Sequence, residues 1–150
     1  MIHQQIKEQI QKSMKNKEEI KLNVLRAILT ALTNELVANK RKPSEILEDD
    51  KALRVIQRMT RQRKDSIEQF KKGGRADLVQ KEKEELVFIE PFLPKMLSRK
   101  EIEKVALTKK AELKIEDKSK TGILMGAVMK ELQGKVEGKD VKEIVEKLLN

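Results

Sequence analysis

The sequence predicts an all-α protein, and three observations carry that expectation. Tryptophan and tyrosine are absent and only three phenylalanines occur. Lys, Glu, Leu, Ile and Gln, which lose little rotamer freedom in a helix, dominate the chain. Apolar residues recur at spacings of three and four rather than two. At 150 residues the chain can bury a core without covalent staples, and its length suits one domain or two small ones. The expected architecture is an N-terminal bundle of about four helices, residues 1–94, followed by a small C-terminal three-helix domain, residues 95–150.

Ile2, Ile6, Ile10 and Met14 open the chain at a spacing of four and predict an amphipathic first helix. After the break at Lys15-Asn16-Lys17, the run Leu25, Ile28, Leu29, Leu32 and Leu36 predicts a second helix to about Asn39. Pro43 is expected to end it, because the residue before a proline avoids the α region. Ser44 ahead of Glu45 and Leu47 is an imperfect capping signal for a long third helix that runs to Gly73-Gly74. Leu78, Leu86, Val87 and Ile89 mark a fourth, which stops at Pro91-Phe92-Leu93-Pro94. Two prolines around an apolar pair cannot continue a helix, so the domain boundary is placed there. Ser98 followed by Glu101 is a well-formed capping box for a helix bearing Ile102, Val105 and Leu113. A short apolar helix over residues 122–132 follows. The last helix, over residues 138–149, carries Val141, Ile144, Val145 and Leu148.

Composition narrows the function classes. There is no cysteine, so disulfides, thiol nucleophiles and thiolate metal sites are excluded. The longest apolar runs fall far short of the roughly 20 residues of a membrane span, and the first residues lack the apolar core of a secretory signal. A cytoplasmic protein with no membrane association is expected. Charged residues make up 39% of the chain and the net charge is +9, a balance that favours acidic partners such as RNA. His3, the sole histidine, lies at a terminus expected to fray, which leaves no His-paired nucleophile. Neighbouring acids such as Glu84-Glu85 face different sides of a helix and mark no carboxylate dyad. Gly122/Gly126 and Gly134/Gly138 have a close-packing spacing but no Walker ending. No cofactor motif is present.

The segment from Arg58 to Phe70 is the most informative. At 100° per residue Lys51, Arg54, Arg58 and Arg61 share one stripe, with Leu53, Ile56, Thr60, Ile67 and Phe70 roughly opposite. The stripe is either a solvated face balanced by Asp49, Asp50, Asp65 and Glu68 or a rail for phosphates. Arg63 points instead into the apolar arc. There it is either a structural ion pair with a fourth-helix glutamate such as Glu85 or Glu90, or a pocket arginine awaiting a ligand. With no Trp or Tyr, any RNA contact is expected to be to backbone and shape.

Taken together, the run Arg61-Gln-Arg-Lys-Asp-Ser-Ile-Glu-Gln-Phe70, then Gly74-Arg75-Ala76-Asp77-Leu78, Phe92-Leu93-Pro94 and Met125-Gly126-Ala127-Val128-Met129 resemble the YqeY family over essentially the whole chain. That family is similar to the C-terminal tail domain of GatB, the B subunit of the glutamine-dependent tRNA amidotransferase. The resemblance implies two helical domains and a tail that engages tRNA while amide transfer is housed elsewhere. It makes Lys51, Arg54, Arg58, Arg61 and Lys64 the candidate tRNA contacts. Phe92 stands where the family often has tyrosine, so that position is expected to serve packing. Three functions remain open: a non-catalytic, tRNA-related accessory module; a component of a glutamine-dependent carbon–nitrogen ligase; and a protein-interaction module that docks a partner through Ile123, Leu124, Val128 and Met129. Against autonomous catalysis stand the missing cysteine, amidase signature and nucleotide loop.

Overall fold

The computed structural model describes residues 1–132 and 134–150, and among them all regular structure is helical. The α-helices are α1 (Ile2–Lys15), α2 (Glu19–Ala38), α3 (Asp49–Lys72), α4 (Ala76–Ile89), α5 (Arg99–Glu112), α6 (Thr121–Glu131) and α7 (Gly138–Leu148), with 3₁₀ turns at Glu90–Phe92 and Lys118–Lys120. The chain divides into two compact units, Met1–Leu93 and Pro94–Asn150.

In the first unit the main core gathers Ile6 from α1, Val24, Leu25, Ile28, Leu32 and Leu36 from α2, Ala52, Val55 and Ile56 from α3, and Ile89 from α4. Leu47, in the segment before α3, joins them, and Phe88 and Phe92 pack against the edge. A second, smaller cluster of Ile67, Val79 and Leu86, with Phe70 beside it, joins the far half of α3 to α4 alone. In α1 the expected row of four drifts, since a step of four residues is 400° and rotates each member by 40°. Met14 therefore turns out to solvent, and the buried position falls on Ser13, whose hydroxyl finds no hydrogen-bond partner.

The second unit closes its own core around Ile102, Ala106, Ile115, Leu124, Val128, Val141 and Val145. The capping box forms as its sequence requires: Ser98 Oγ accepts from the Glu101 amide, and the Glu101 carboxylate accepts from the Ser98 amide at 2.7 Å. Gly126 does not mediate a close approach, because a Cβ there would meet nothing within 4 Å.

One helix end is made differently from expectation and one helix start is displaced. Helix α2 ends at Ala38 with Asn39 as its cap, where the sequence places its end, but the agent is not Pro43: Lys40 adopts a left-handed φ of 58° and the Arg41 amide bonds back to the Leu36 carbonyl. The same cap, with a lysine in the left-handed position, closes α1 at Lys17 and α5 at Lys114, whereas α3 uses Gly74. Helix α3 starts at Asp49 rather than near Ser44. The intervening backbone groups are already taken: Arg41 donates to the Ile46 carbonyl and to Glu45 and Glu48, and the Leu47 amide donates to His3 Nδ1 at 2.9 Å.

His3 is thus not at a frayed end. It is 1% exposed and, together with a 2.8 Å bond from the Ile2 amide to Asp49, clasps the start of α1 to the start of α3. Burial, reinforced by Lys7, holds its pKa below the usual value, and a neutral Nδ1 is what accepting the Leu47 N–H requires.

Candidate nucleic-acid interface

Helix α3 is 24 residues long, about 36 Å at 1.5 Å per residue. One face is fixed by burial of Ala52, Val55, Ile56, Thr60 and Ile67. That fixes the opposite face in solvent, where Arg54, Arg58, Arg61 and Lys64 are exposed and Lys51 is half-exposed at its edge. Acidic residues crowd the first turn and lysines the last, Asp49 and Asp50 against Lys71 and Lys72, which suits the helix dipole.

The cations of this row differ in their surroundings. Lys51 Nζ lies 3.6 Å from Glu48, and Arg58 lies 3.3 Å from Glu35 on α2. Arg61 and Lys64 have no carboxylate partner among the described residues.

Arg63 lies off the row and is mostly covered, its side chain 19% exposed. It pairs with both Glu82, at 3.2 Å, and Glu85 of α4. Glu90, the other partner considered from sequence, is exposed in the 3₁₀ turn. Met59, Gln62, Arg63, Ser66 and Glu82 line a shallow cleft of about 220 Å³. With both carboxylates already on its guanidinium, Arg63 ties α3 to α4.

Charge is spread over both units: Met1–Leu93 holds twenty basic and fifteen acidic residues, Pro94–Asn150 fourteen and ten. What distinguishes α3 is therefore alignment of its cations along one continuous helix, not excess charge. In the second unit Leu124 and Val128 are fully buried, so of the four residues considered for docking only Ile123, 60% exposed, stands free on the surface, with Met129 half-buried. Among the described residues no group of three His, Cys, Asp or Glu side chains could hold a metal ion, and no helix is long and apolar enough to cross a membrane.

A family model described as "Yqey-like protein" matches residues 3–149. Among curated proteins, "Altered inheritance of mitochondria protein 41, mitochondrial" of Eremothecium gossypii is 33% identical over 90 residues, 59% of this chain and 46% of that protein. The protein of the same name in Kluyveromyces lactis is 32% identical over 101 residues, 65% of this chain and 52% of that protein. In Pyrenophora tritici-repentis the figures are 29% over 142 residues, 91% of this chain and 76% of that protein. The chain spans about half the length of the first curated relatives it matches. These names overturn the expectation of a cytoplasmic protein, since the relatives are called mitochondrial. The observations behind that expectation, no cysteine and no long apolar run, do not discriminate between one reducing aqueous compartment and another.

Proposed function

The chain belongs to the YqeY family, and from that premise we propose that it is a non-catalytic accessory module that binds the backbone of tRNA-like RNA along α3. The single observation that supports this most is the solvent-facing row Arg54, Arg58, Arg61 and Lys64, with Lys51 at its edge, on one continuous helix whose opposite face is buried. Successive members stand three or four residues apart, about 4.5–6 Å along the axis, a spacing that lets several phosphates of one strand be met at once. The three phenylalanines are packed against apolar clusters, which leaves phosphate and shape rather than base stacking as the mode of contact. On this reading Met1–Leu93 and Pro94–Asn150 are two domains, a helical bundle bearing the row and a three-helix partner. The relatives' name speaks of mitochondrial inheritance and specifies no reaction, so the chemistry rests on the charged helix.

The test is binding of total tRNA across a salt series, wild type against Arg54→Glu/Arg58→Glu/Arg61→Glu. Each lost phosphate contact is expected to reduce the slope of log K on log salt by about 0.9, with helicity retained. Wild-type binding no more salt-sensitive than that of a scrambled-charge control overturns the proposal.

A second reading has one observation in its favour. Ile123, Leu107 and Leu113 of the C-terminal unit are 60%, 47% and 46% exposed, so a protein partner could cover them. Such a partner is the way the chain would take part in a glutamine-dependent carbon–nitrogen ligase, as an attached tail. Capture of an amidotransferase subunit by wild type and not by Ile123→Glu is the outcome that favours it.

A further inference from the structure

Two cations of the α3 row touch carboxylates that are themselves gripped from outside the row. Glu35 receives Asn39 Nδ2 on one oxygen, at 3.4 Å, and Arg58 on the other, at 3.3 Å. Glu48 receives Arg41 on one oxygen, at 2.6 Å, and Lys51 on the other, at 3.6 Å. The grips are fixed in turn, for Asn39 Nδ2 also donates to the Glu35 carbonyl at 2.7 Å, and Arg41 is braced by Glu45 and the Ile46 carbonyl. The carboxylates are thus the stationary partners. Arg58, 59% exposed against 29% for Glu35, is the one free to swing away, and Lys51 is the one partner of Glu48 that nothing else braces among the described residues, since Arg41 holds the other oxygen. The Glu48 carboxyl is held below its usual pKa by its own backbone amide and then by Arg41.

We propose that Glu35 and Glu48 are built-in phosphate mimics: they occupy Arg58 and Lys51 in the free protein and compete with an RNA backbone for them. This rests on the nucleic-acid reading of α3 and adds an order of events to it. Arg61 and Lys64, which have no such competitor among the described residues, take the first phosphates. The strand then presents its next phosphates to Arg58 and Lys51 at high local concentration, and these exchange a protein carboxylate for a phosphate oxygen. An isolated anion gains nothing from that second step. The carboxylates therefore weaken binding overall and reserve Arg58 and Lys51 for a ligand with charges in series.

The test compares Glu35→Gln/Glu48→Gln with Glu84→Gln/Glu116→Gln, a pair of equal net charge whose carboxylates touch no member of the row. With total tRNA as probe, the first pair is expected to bind roughly twofold to twentyfold more tightly than the second, the range set by two exposed ion pairs. In wild type, the Arg58 side-chain Nε–H resonance is expected to move as tRNA is added. Wild type that binds tRNA while the two variants bind equally, or while the Arg58 resonance stays still, overturns the self-competition and leaves the reading of α3 intact. Wild type with no salt-sensitive tRNA binding overturns both. Matched thermal midpoints and helicity for the variants show that the comparison is one of binding alone.

Discussion

The two halves of α3 are built from the same amphipathic pattern but stand on different foundations. Residues 49–60 sit on the main core, with Ala52, Val55 and Ile56 inside it and Thr60 also buried. Among the described residues the buried apolar cluster behind residues 61–72 is shared with α4, through Ile67 and Phe70 against Val79 and Leu86. The first half carries the cations that face protein carboxylates, Lys51 and Arg58, and the second carries Arg61 and Lys64, which do not. An amphipathic stripe therefore specifies that a helix forms and which face is dry, while the amount of core behind each turn decides how firmly that turn is held.

Removal of matched side chains should separate the two halves of the helix most strongly. Ile56→Ala is expected to cost about 3–5 kcal/mol, measured by urea unfolding, because Ile56 is fully buried in the main core. Ile67→Ala should cost about 2 kcal/mol or less, and should lower hydrogen-exchange protection around residues 64–82 before the global midpoint moves. Equal global losses would mean that the distal half is no weaker a unit than the proximal one.

Next in size is Arg63→Met, which leaves Glu82 and Glu85 facing one another without their cation. The expected loss is roughly 1–3 kcal/mol, between an exposed and a buried pair. It should shrink as salt screens the two carboxylates; a loss that ignores salt would indicate packing rather than charge.

The clasp at the proximal end gives a smaller effect, read as a pH slope. The folded-state pKa of His3 is lowered from 6.5, so the unfolded chain binds the proton more tightly. The contribution of His3 is complete above pH 6.5 and is lost as pH falls through the lower folded value. Wild type should lose more stability across that window than His3→Gln, and parallel pH profiles would argue against the clasp. Smallest of all, Arg61→Gln is expected to change stability by less than about 0.5 kcal/mol while it weakens tRNA binding.

What was legible in the sequence was local. The Ser98–Glu101 capping box needs only residues three apart, and the buried face of α3 follows from 100° per residue. The start of α3 was not legible, because it depends on His3 capturing the Leu47 amide across 44 positions. A single histidine near a terminus gives no periodic signal of that role. The position where α2 ends is legible, at about Asn39, but its cause is not, since the left-handed residue that closes it is Lys40, which carries none of the usual glycine cue. For Arg63 the helical wheel pointed to the carboxylates of α4 but not to Glu82, because the choice among Glu82, Glu85 and Glu90 depends on the stagger of two helices. The row's carboxylates were counted as neighbours in sequence, Asp49, Asp50, Asp65 and Glu68. Those that touch it, Glu35 and Glu48, come from α2 and from the turn before α3.

The lysines that close α1, α2 and α5 have a practical consequence. A side chain in the left-handed region is strained by about 1–2 kcal/mol relative to a right-handed one, and part of that is recovered when glycine takes its place. Lys17→Gly, Lys40→Gly and Lys114→Gly should each therefore make the chain sturdier while subtracting a positive charge that lies outside α3. The triple variant would be a quieter chassis: three units less cationic, at least as robust, with its long helix untouched. On that background, attraction of RNA to a merely basic protein recedes, and whatever the aligned arginines contribute stands out.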